Sequence, residues 1–339
     1  MINRRQISFL FILFSFYLTA QTIKGKITDL ITQQPLEAVS IYFNNTTIGT
    51  TTNANGEFSI DYTDAIQSPL IISYLGYEKV VISDFRGRSF LKIEMKELTN
   101  RLDEVLINAD DGLTRQQKLN IFKEQFLGIS KYGKSCKILN EDDLILRYDE
   151  KAKQLTVSAK APLEIKNKAL KYHITYEIMD FEIVFSYFNL SKYEFSIYST
   201  FYSGTSLYKD ENVDQRSRIL KRRKKVYDGS IQHFIRSIYR EDLKKEKYKF
   251  FRRGFGVKTS DHVIVKPLDS TNLKLVKLSG KLTVLHKGKE QSDITPSVDE
   301  FYIDKFGNFS PVRALFFSGA MGNQRVGDAL PLDYEINNN

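Results

Sequence analysis

The chain holds 339 residues, with 50 Lys or Arg against 41 Asp or Glu and a formal charge of +9. That length suits two or three domains. A positive balance often marks nucleic-acid proteins, but the N-terminus points to export. Nucleic acid is therefore excluded as a partner, and the expected acidic counterparts are lipopolysaccharide phosphates, anionic glycans or solvent ions.

Residues 1–20 read as a signal peptide. Arg4 and Arg5 give a positive start, residues 7–18 are apolar apart from Ser8 and Ser15, and Leu18-Thr19-Ala20 supplies small-residue cleavage chemistry before Gln21. The apolar run falls short of the ~20 residues that a membrane-spanning helix needs. No cysteine adjoins the cleavage point, so no lipid anchor is expected, and no later stretch suits a transmembrane helix in the mature chain. The protein is expected in the periplasm or at the outer membrane. Cys136 is the single cysteine. It leaves no internal disulfide and suggests a buried, inert thiol.

Residues 21–97 carry the signals of a β-sandwich. Ile23, Gly25 and Ile27 alternate with polar neighbours, and Gln33-Gln34-Pro35-Leu36 breaks that strand. Val39, Ile41 and Phe43 face one way, and residues 47–52 are Thr-rich, as an exposed strand can be. Asn55-Gly56 is a hairpin signal, because both residues tolerate positive φ. Leu70-Ile71-Ile72 reads as a strand buried on both faces, and Leu91, Ile93 and Met95 close the unit. Seven short strands with frequent turns predict a sandwich.

Five blocks in order carry a resemblance: Gly25-Lys26-Ile27-Thr28-Asp29, Pro35-Leu36-Glu37-Ala38-Val39, Gly49-Thr50-Thr51-Thr52, Asn55-Gly56-Glu57-Phe58 and Ser73-Tyr74-Leu75-Gly76-Tyr77. They resemble the carboxypeptidase-regulatory-like domain of Bacteroidetes envelope proteins, a transthyretin-like sandwich. The resemblance implies an interaction or spacer module rather than a peptidase. A zinc carboxypeptidase needs His-x-x-Glu and a distant His, and none of His173, His233, His262 and His286 has Glu three residues on. These four read as scattered, with no zinc constellation. His173 and Glu177, four apart in an alternating pattern, read as a solvated pair on one sheet face. No metal and no cofactor are expected.

Residues 98–114 read as a linker. Within them Leu102-Asp103-Glu104-Val105-Leu106-Ile107 resembles the segment that follows this module in outer-membrane nutrient receptors. The remaining residues are too few for a plug and a 22-stranded barrel at ~10 residues per strand plus loops. Transport therefore does not carry over.

Residues 115–339 read as a mostly antiparallel α+β domain. Thr114 and Gln117 make a capping box for a helix from Arg115 to about Ile129, with Leu119, Phe122 and Phe126 on one face. Alternating stripes follow at 144–148, 155–159, 172–178, 181–187 and 195–201, which predicts a meander with one apolar face. The aromatic content, 19 Tyr and 24 Phe, suits strand packing; a sugar or lipid platform and a small membrane barrel are the other readings of it. Residues 213–253 form a basic, partly helical middle. Ser230 caps a helix with Ile231, Phe234, Ile235 and Ile238 on one face. Lys221, Arg222, Arg223, Lys224, Lys225, Arg252 and Arg253 are the candidate surface for an anionic ligand, against the plainer reading of solvated charge.

Beyond, residues 262–265, 273–278, 282–285, 301–303 and 314–317 read as strands. Residues 319–327 are Gly-rich but lack the Gly-Lys-Ser/Thr ending of a phosphate loop. Asp228, Ser230 and His233 invite a catalytic triad, yet an oxyanion hole and an elbow turn are not visible, and capping explains Ser230. Blocks such as Tyr227-Asp228-Gly229-Ser230 with His233-Phe234, and Tyr302-Ile303-Asp304 with Gly307-Asn308, resemble a family labelled only by its regulatory-like domain. That adds no activity. The expectation is a mainly β, exported, non-enzymatic envelope protein that binds a partner or an anionic ligand. An accessory component of an outer-membrane receptor and a hydrolase on envelope glycans or peptides are the alternatives.

Overall fold

The computed structural model describes residues 21–62, 68–98, 111–268 and 272–334. The expected signal peptide, the Leu102–Ile107 segment and residues 99–110 of the expected linker lie outside these residues.

The first lobe is the expected seven-stranded sandwich. Its strands are β1 (Gln21–Asp29), β2 (Ser40–Phe43), β3 (Gly49–Thr51), β4 (Glu57–Tyr62), β5 (Leu70–Ser73), β6 (Val80–Ile82) and β7 (Phe90–Met95). One sheet runs β4-β1-β7 and the other β3-β2-β5-β6. Ile23 and Ile27 point into the core while Lys24 and Lys26 face out, which is the two-residue period of a half-buried strand. Phe43, Tyr62 and Phe85 meet at the centre, with Phe43 and Phe85 rings 5.1 Å apart. The Asn55-Gly56 turn does not close the expected hairpin, since it carries the chain from β3 in one sheet to β4 in the other. Gly56 has φ +73°, and a Cβ there would strike the Ile27 carbonyl, so only glycine fits.

Ile71 is buried as expected, because the outer face of its sheet packs on the rest of the protein. Tyr42, its cross-strand partner, places its hydroxyl 3.0 Å from Thr205 Oγ1. Lys79 Nζ meets Glu177 Oε1 at 3.0 Å. The Asn45 amide donates to the Ser206 carbonyl, and Tyr208 returns an amide to Thr46.

The second lobe opens on α1 (Arg115–Phe126), with the capping box at Thr114 and Gln117 in place. The helix stops three residues before the expected Ile129. Gly128, φ +95°, adopts the left-handed conformation that ends helices. An antiparallel sheet follows as β8 (Cys136–Ile138), β9 (Leu144–Asp149), β10 (Gln154–Ala159), β11 (Leu163–Asn167), β12 (Tyr172–Asn189) and β13 (Glu194–Asp210), in the order β8-β11-β12-β10-β9 with β13 along β12. It is not the sequential meander expected, because β10 and β11 both pair with the long β12 and not with each other. The stripes at 172–178 and 181–187 are one strand. A register shift between Ile178 and Asp180 moves the inward parity by one residue, as a bulge does. Phe122 and Phe126 of α1 then pack on Phe181, Tyr176 and Tyr202.

Residues past 211 build a third core. Helices α2 (Ser217–Tyr227) and α3 (Ile231–Tyr239) lead into β14 (Tyr248–Arg252), β15 (Phe255–Val257), β16 (Val263–Pro267), β17 (Leu273–Leu278), β18 (Leu282–His286), β19 (Glu290–Pro296), β20 (Phe301–Asp304), β21 (Phe309–Ser310), β22 (Leu315–Ser318) and the short α4 (Gly319–Gly322). The sheets run β15-β14-β18-β19-β22 and β16-β17-β20-β21, and Phe234, Ile235 and Ile238 of α3 are buried in their core. Residues 115–334 thus hold two apolar cores rather than one. Residues 326–334 join everything. Val326 and Leu330 enter the core under the β8–β13 sheet, Leu332 enters the sandwich core, and Leu332 donates its amide to Asn45.

Candidate functional site

The five consecutive basic residues of α2 do not form one surface. Helical geometry spreads them around the axis, and Arg223 points inward, 3% exposed. Its guanidinium donates to both Asp210 oxygens and to the carbonyls of Leu170 and Lys171. Arg222 donates to the Ala169 carbonyl. These two are structural, which corrects the expectation of a ligand surface there; Lys221, Lys224 and Lys225 remain exposed. Residues 319–327 are also structural. A Cβ at Gly327 would collide with the Leu127 carbonyl and Gly133, so these glycines serve close packing.

Arg252 and Arg253 stand apart on the β14–β15 hairpin. Arg253 and Gly254 both have positive φ, as a two-residue hairpin turn requires. The turn holds both arginines in solvent, where they line a cavity of about 500 Å³ with Phe251, Lys281, Thr283 and one carboxylate, Asp293. Neither arginine has an ion-pair partner among the described residues. Lys281, which the sequence reading missed, is paired with Asp293 at 2.9 Å.

A second cluster lies on the other face of the same sheet. Phe251 pairs with Thr283 beside the cavity, and Tyr248 pairs with His286. Three residues apart on a strand is a change of face and a separation of ~10 Å. The α2–α3 turn delivers Asp228 here, because Gly229 at φ +78° lets Ser230 cap α3 immediately. Ser230 Oγ accepts the His233 amide at 3.0 Å. That is the expected capping role, and the His233 ring nitrogens meet Gly229, Tyr248 and Glu246, not the Ser230 hydroxyl that a triad would need.

His233, 3% exposed, accepts the Gly229 amide at Nδ1, 3.1 Å away. An amide only donates, so Nδ1 carries the lone pair and Nε2 the proton, which is directed at Glu246 Oε2 at 3.3 Å. Tyr248 Oη is also 3.1 Å from Nδ1. Burial holds the His233 pKa below its ordinary value against the pull of Glu246, so the ring is neutral near pH 7. His286 is held by Glu290, whose Oε2 is 2.9 Å from Nδ1. Its Nε2 is buried with no hydrogen-bond partner among the described residues and lies 3.7 Å from Asp228 Oδ1. Burial opposes ionisation of Asp228, but the hydrogen-bonded Lys287 ammonium outweighs it and keeps the carboxyl below the usual range. Asp228, His233 and His286 bring their donor atoms within 4.8 Å of one another.

The expectation of four scattered histidines therefore fails for His233 and His286. Their distance along the chain hides the pairing; the only local signal was His286 four residues before Glu290 in a hairpin. His173 and Glu177 do not pair either. His173 Nε2 is 2.5 Å from Glu164, while Glu177 serves the lobe interface through Lys79.

The sandwich and the turn chemistry of its blocks define a regulatory-like module, and comparison with known families agrees. Residues 23–107 match the family model of the CarboxypepD_reg-like domain, so the resemblance of the first lobe holds, while residues past 107 lie outside that match. No curated protein matches the chain. Among the described residues no helix is long and apolar enough to cross a membrane.

Proposed function

We propose that this chain is an exported, non-enzymatic cell-envelope protein that binds an anionic envelope ligand, a lipopolysaccharide or an acidic glycan, at the β14–β15 hairpin. The observation that carries the reading is the pair Arg252 and Arg253, solvent-held and without an ion-pair partner among the described residues, on a cavity of about 500 Å³ that also offers the Phe251 ring and whose one carboxylate, Asp293, is paired with Lys281. Guanidinium groups suit phosphate and carboxylate through paired donors. The regulatory-like lobe, fixed through Tyr42, Lys79 and Asn45, acts as a bracket for that surface.

The test is binding of the mature chain to lipopolysaccharide at rising salt, beside an Arg252→Ser, Arg253→Ser variant. Screening shortens from ~10 Å at 0.1 M to ~3 Å at 1 M, so binding should fade with salt and be lost in the variant. Lys224→Ser, Lys225→Ser on α2 should bind as the parent does. Equal binding by all three proteins would sink the reading. Cell fractionation and N-terminal sequencing test export: a start near Gln21 outside the cytoplasm supports it, and Met1 in the cytoplasm opposes it.

A second reading, a hydrolase on envelope glycans or peptides, takes support from the convergence of Asp228, Glu246 and Glu290 on two buried imidazoles. It requires turnover of cell-wall fragments that Asp228→Asn abolishes.

A further inference from the structure

We propose that Asp228, His233 and His286 form a binding site for one divalent transition-metal ion, with zinc the best fit to two imidazoles and a carboxylate. The ligands are Asp228 Oδ1, His233 Nδ1 and His286 Nε2. The aspartate oxygen is 3.9 Å from the first nitrogen and 3.7 Å from the second. An ion with bonds of ~2.0–2.1 Å in tetrahedral array needs donors about 3.4 Å apart. The cluster therefore closes on an ion by small side-chain shifts.

Three observations beyond proximity support the site. His286 Nε2 is a buried polar atom with no hydrogen-bond partner among the described residues, in a side chain 1% exposed, and it faces Asp228. A buried group of this kind ordinarily has a partner, and a cation supplies one. Each imidazole also has a carboxylate on its opposite nitrogen, Glu246 for His233 and Glu290 for His286. That arrangement fixes ring orientation and raises ligand basicity in metal-binding histidines. The charge favours a cation as well: Asp228, Glu246 and Glu290 face one ammonium, Lys287, which occupies Asp228 Oδ2 and leaves Oδ1 to the ion.

The ion takes the His233 lone pair from the Gly229 amide. Tyr248 Oη, 3.1 Å from that nitrogen, lies beside the ion as a donor to a fourth ligand, and the half-exposed Asp228 marks the route to solvent. Gly229 is required at this point, because a Cβ would collide with Glu290 and His286. Bound metal would clip the α2–α3 turn to the β18–β19 hairpin. It lies across the sheet from the arginine cavity, so the two sites can fail separately.

The test uses the full mature chain stripped with chelator, titrated with Co²⁺ by absorption and with Zn²⁺ by calorimetry. One ion per chain is expected, with the visible spectrum of a tetrahedral cobalt site and a rise in unfolding temperature on adding zinc. His286→Gln and Asp228→Asn should each weaken zinc binding at least tenfold and change the cobalt spectrum, while Arg252→Ser, Arg253→Ser binds the metal as the parent does. If His286→Gln does not fold, Asp228→Asn at its half-exposed position decides. Absence of stoichiometric binding by the parent, or unchanged affinity and spectrum in folded Asp228→Asn, overturns the proposal.

Discussion

The Arg223 guanidinium lies 3.8 Å from the centre of the Tyr172 ring, and at the same time it meets both Asp210 oxygens at 2.7 Å. A cation that looked like ligand chemistry is thus a rivet between α2 and the start of β12. Arg223→Ala should cost about 3 kcal/mol, the range for breaking a buried pair on one side, read as a lower urea midpoint.

The partner carboxylate adds a pH dependence. Burial works against Asp210, but the Arg223 hydrogen bonds, the Asn212 amide and the guanidinium charge hold its pKa below the ordinary value. A depressed folded pKa stabilises the fold above the unfolded pKa, and that stabilisation is lost as pH falls through the folded one. Stability should therefore drop more steeply below pH 4 in the parent than in Asp210→Asn. Parallel acid curves would contradict this.

Gly56 tests the first lobe. Its φ of +73° and its approach to Ile27 leave no place for a side chain, so Gly56→Val should lower stability by ~1 kcal/mol or more. Chemical denaturation of the full chain reads it; an unchanged midpoint would mean that the turn tolerates Cβ.

Cys136 should be inert in the folded state. Burial, with a smaller push from the Asp328 charge, raises its thiol to about 12, and Sγ is aimed at the Tyr132 carbonyl. The thiolate is the reactive form, so alkylation at pH 8 should be slow until denaturant is added and then report one thiol per chain. Rapid native labelling would contradict the burial.

Leu332→Ala should destabilise the sandwich from the far end of the sequence. The side chain sits in the core of the first lobe, and emptying such a position costs ~2–5 kcal/mol. A fluorophore placed in the first lobe should report the loss at the same denaturant concentration as one in the second.

What the sequence disclosed was local. The capping box at Thr114 and the cap at Ser230 are decided by neighbours within four residues and stand as expected. The turn at Asn55-Gly56 is there with its positive φ at Gly56, but which strands it joins is not a local matter, and it links two sheets instead of closing a hairpin. Burial of Ile71 on both faces was legible from the apolar run, though not its cause, since Tyr42 and Thr205 meet only through the tertiary fold. The bulge in β12 was illegible because periodicity reports only which face a residue takes, so a shifted parity looked like two strands. Arg223 was misread because charge patterning cannot see Asp210 or the Tyr172 ring. The His233–His286 cluster was hidden for a related reason: a capped helix end and a hairpin end each look complete, and only the fold brings them together.

Residues 326–334 carry a consequence for how the molecule is made. A chain is synthesised from its N-terminus, so the sandwich strands exist long before Leu332, which fills their core, and before Asp333, which accepts the Thr47 amide. Arg236 likewise waits for the carbonyls of Leu332 and Tyr334. Each lobe emerges lacking a piece that arrives only after all its other parts. Neither lobe can complete its native contacts until residues 326–334 have been made, so a chain cut short before them would lack parts of both cores.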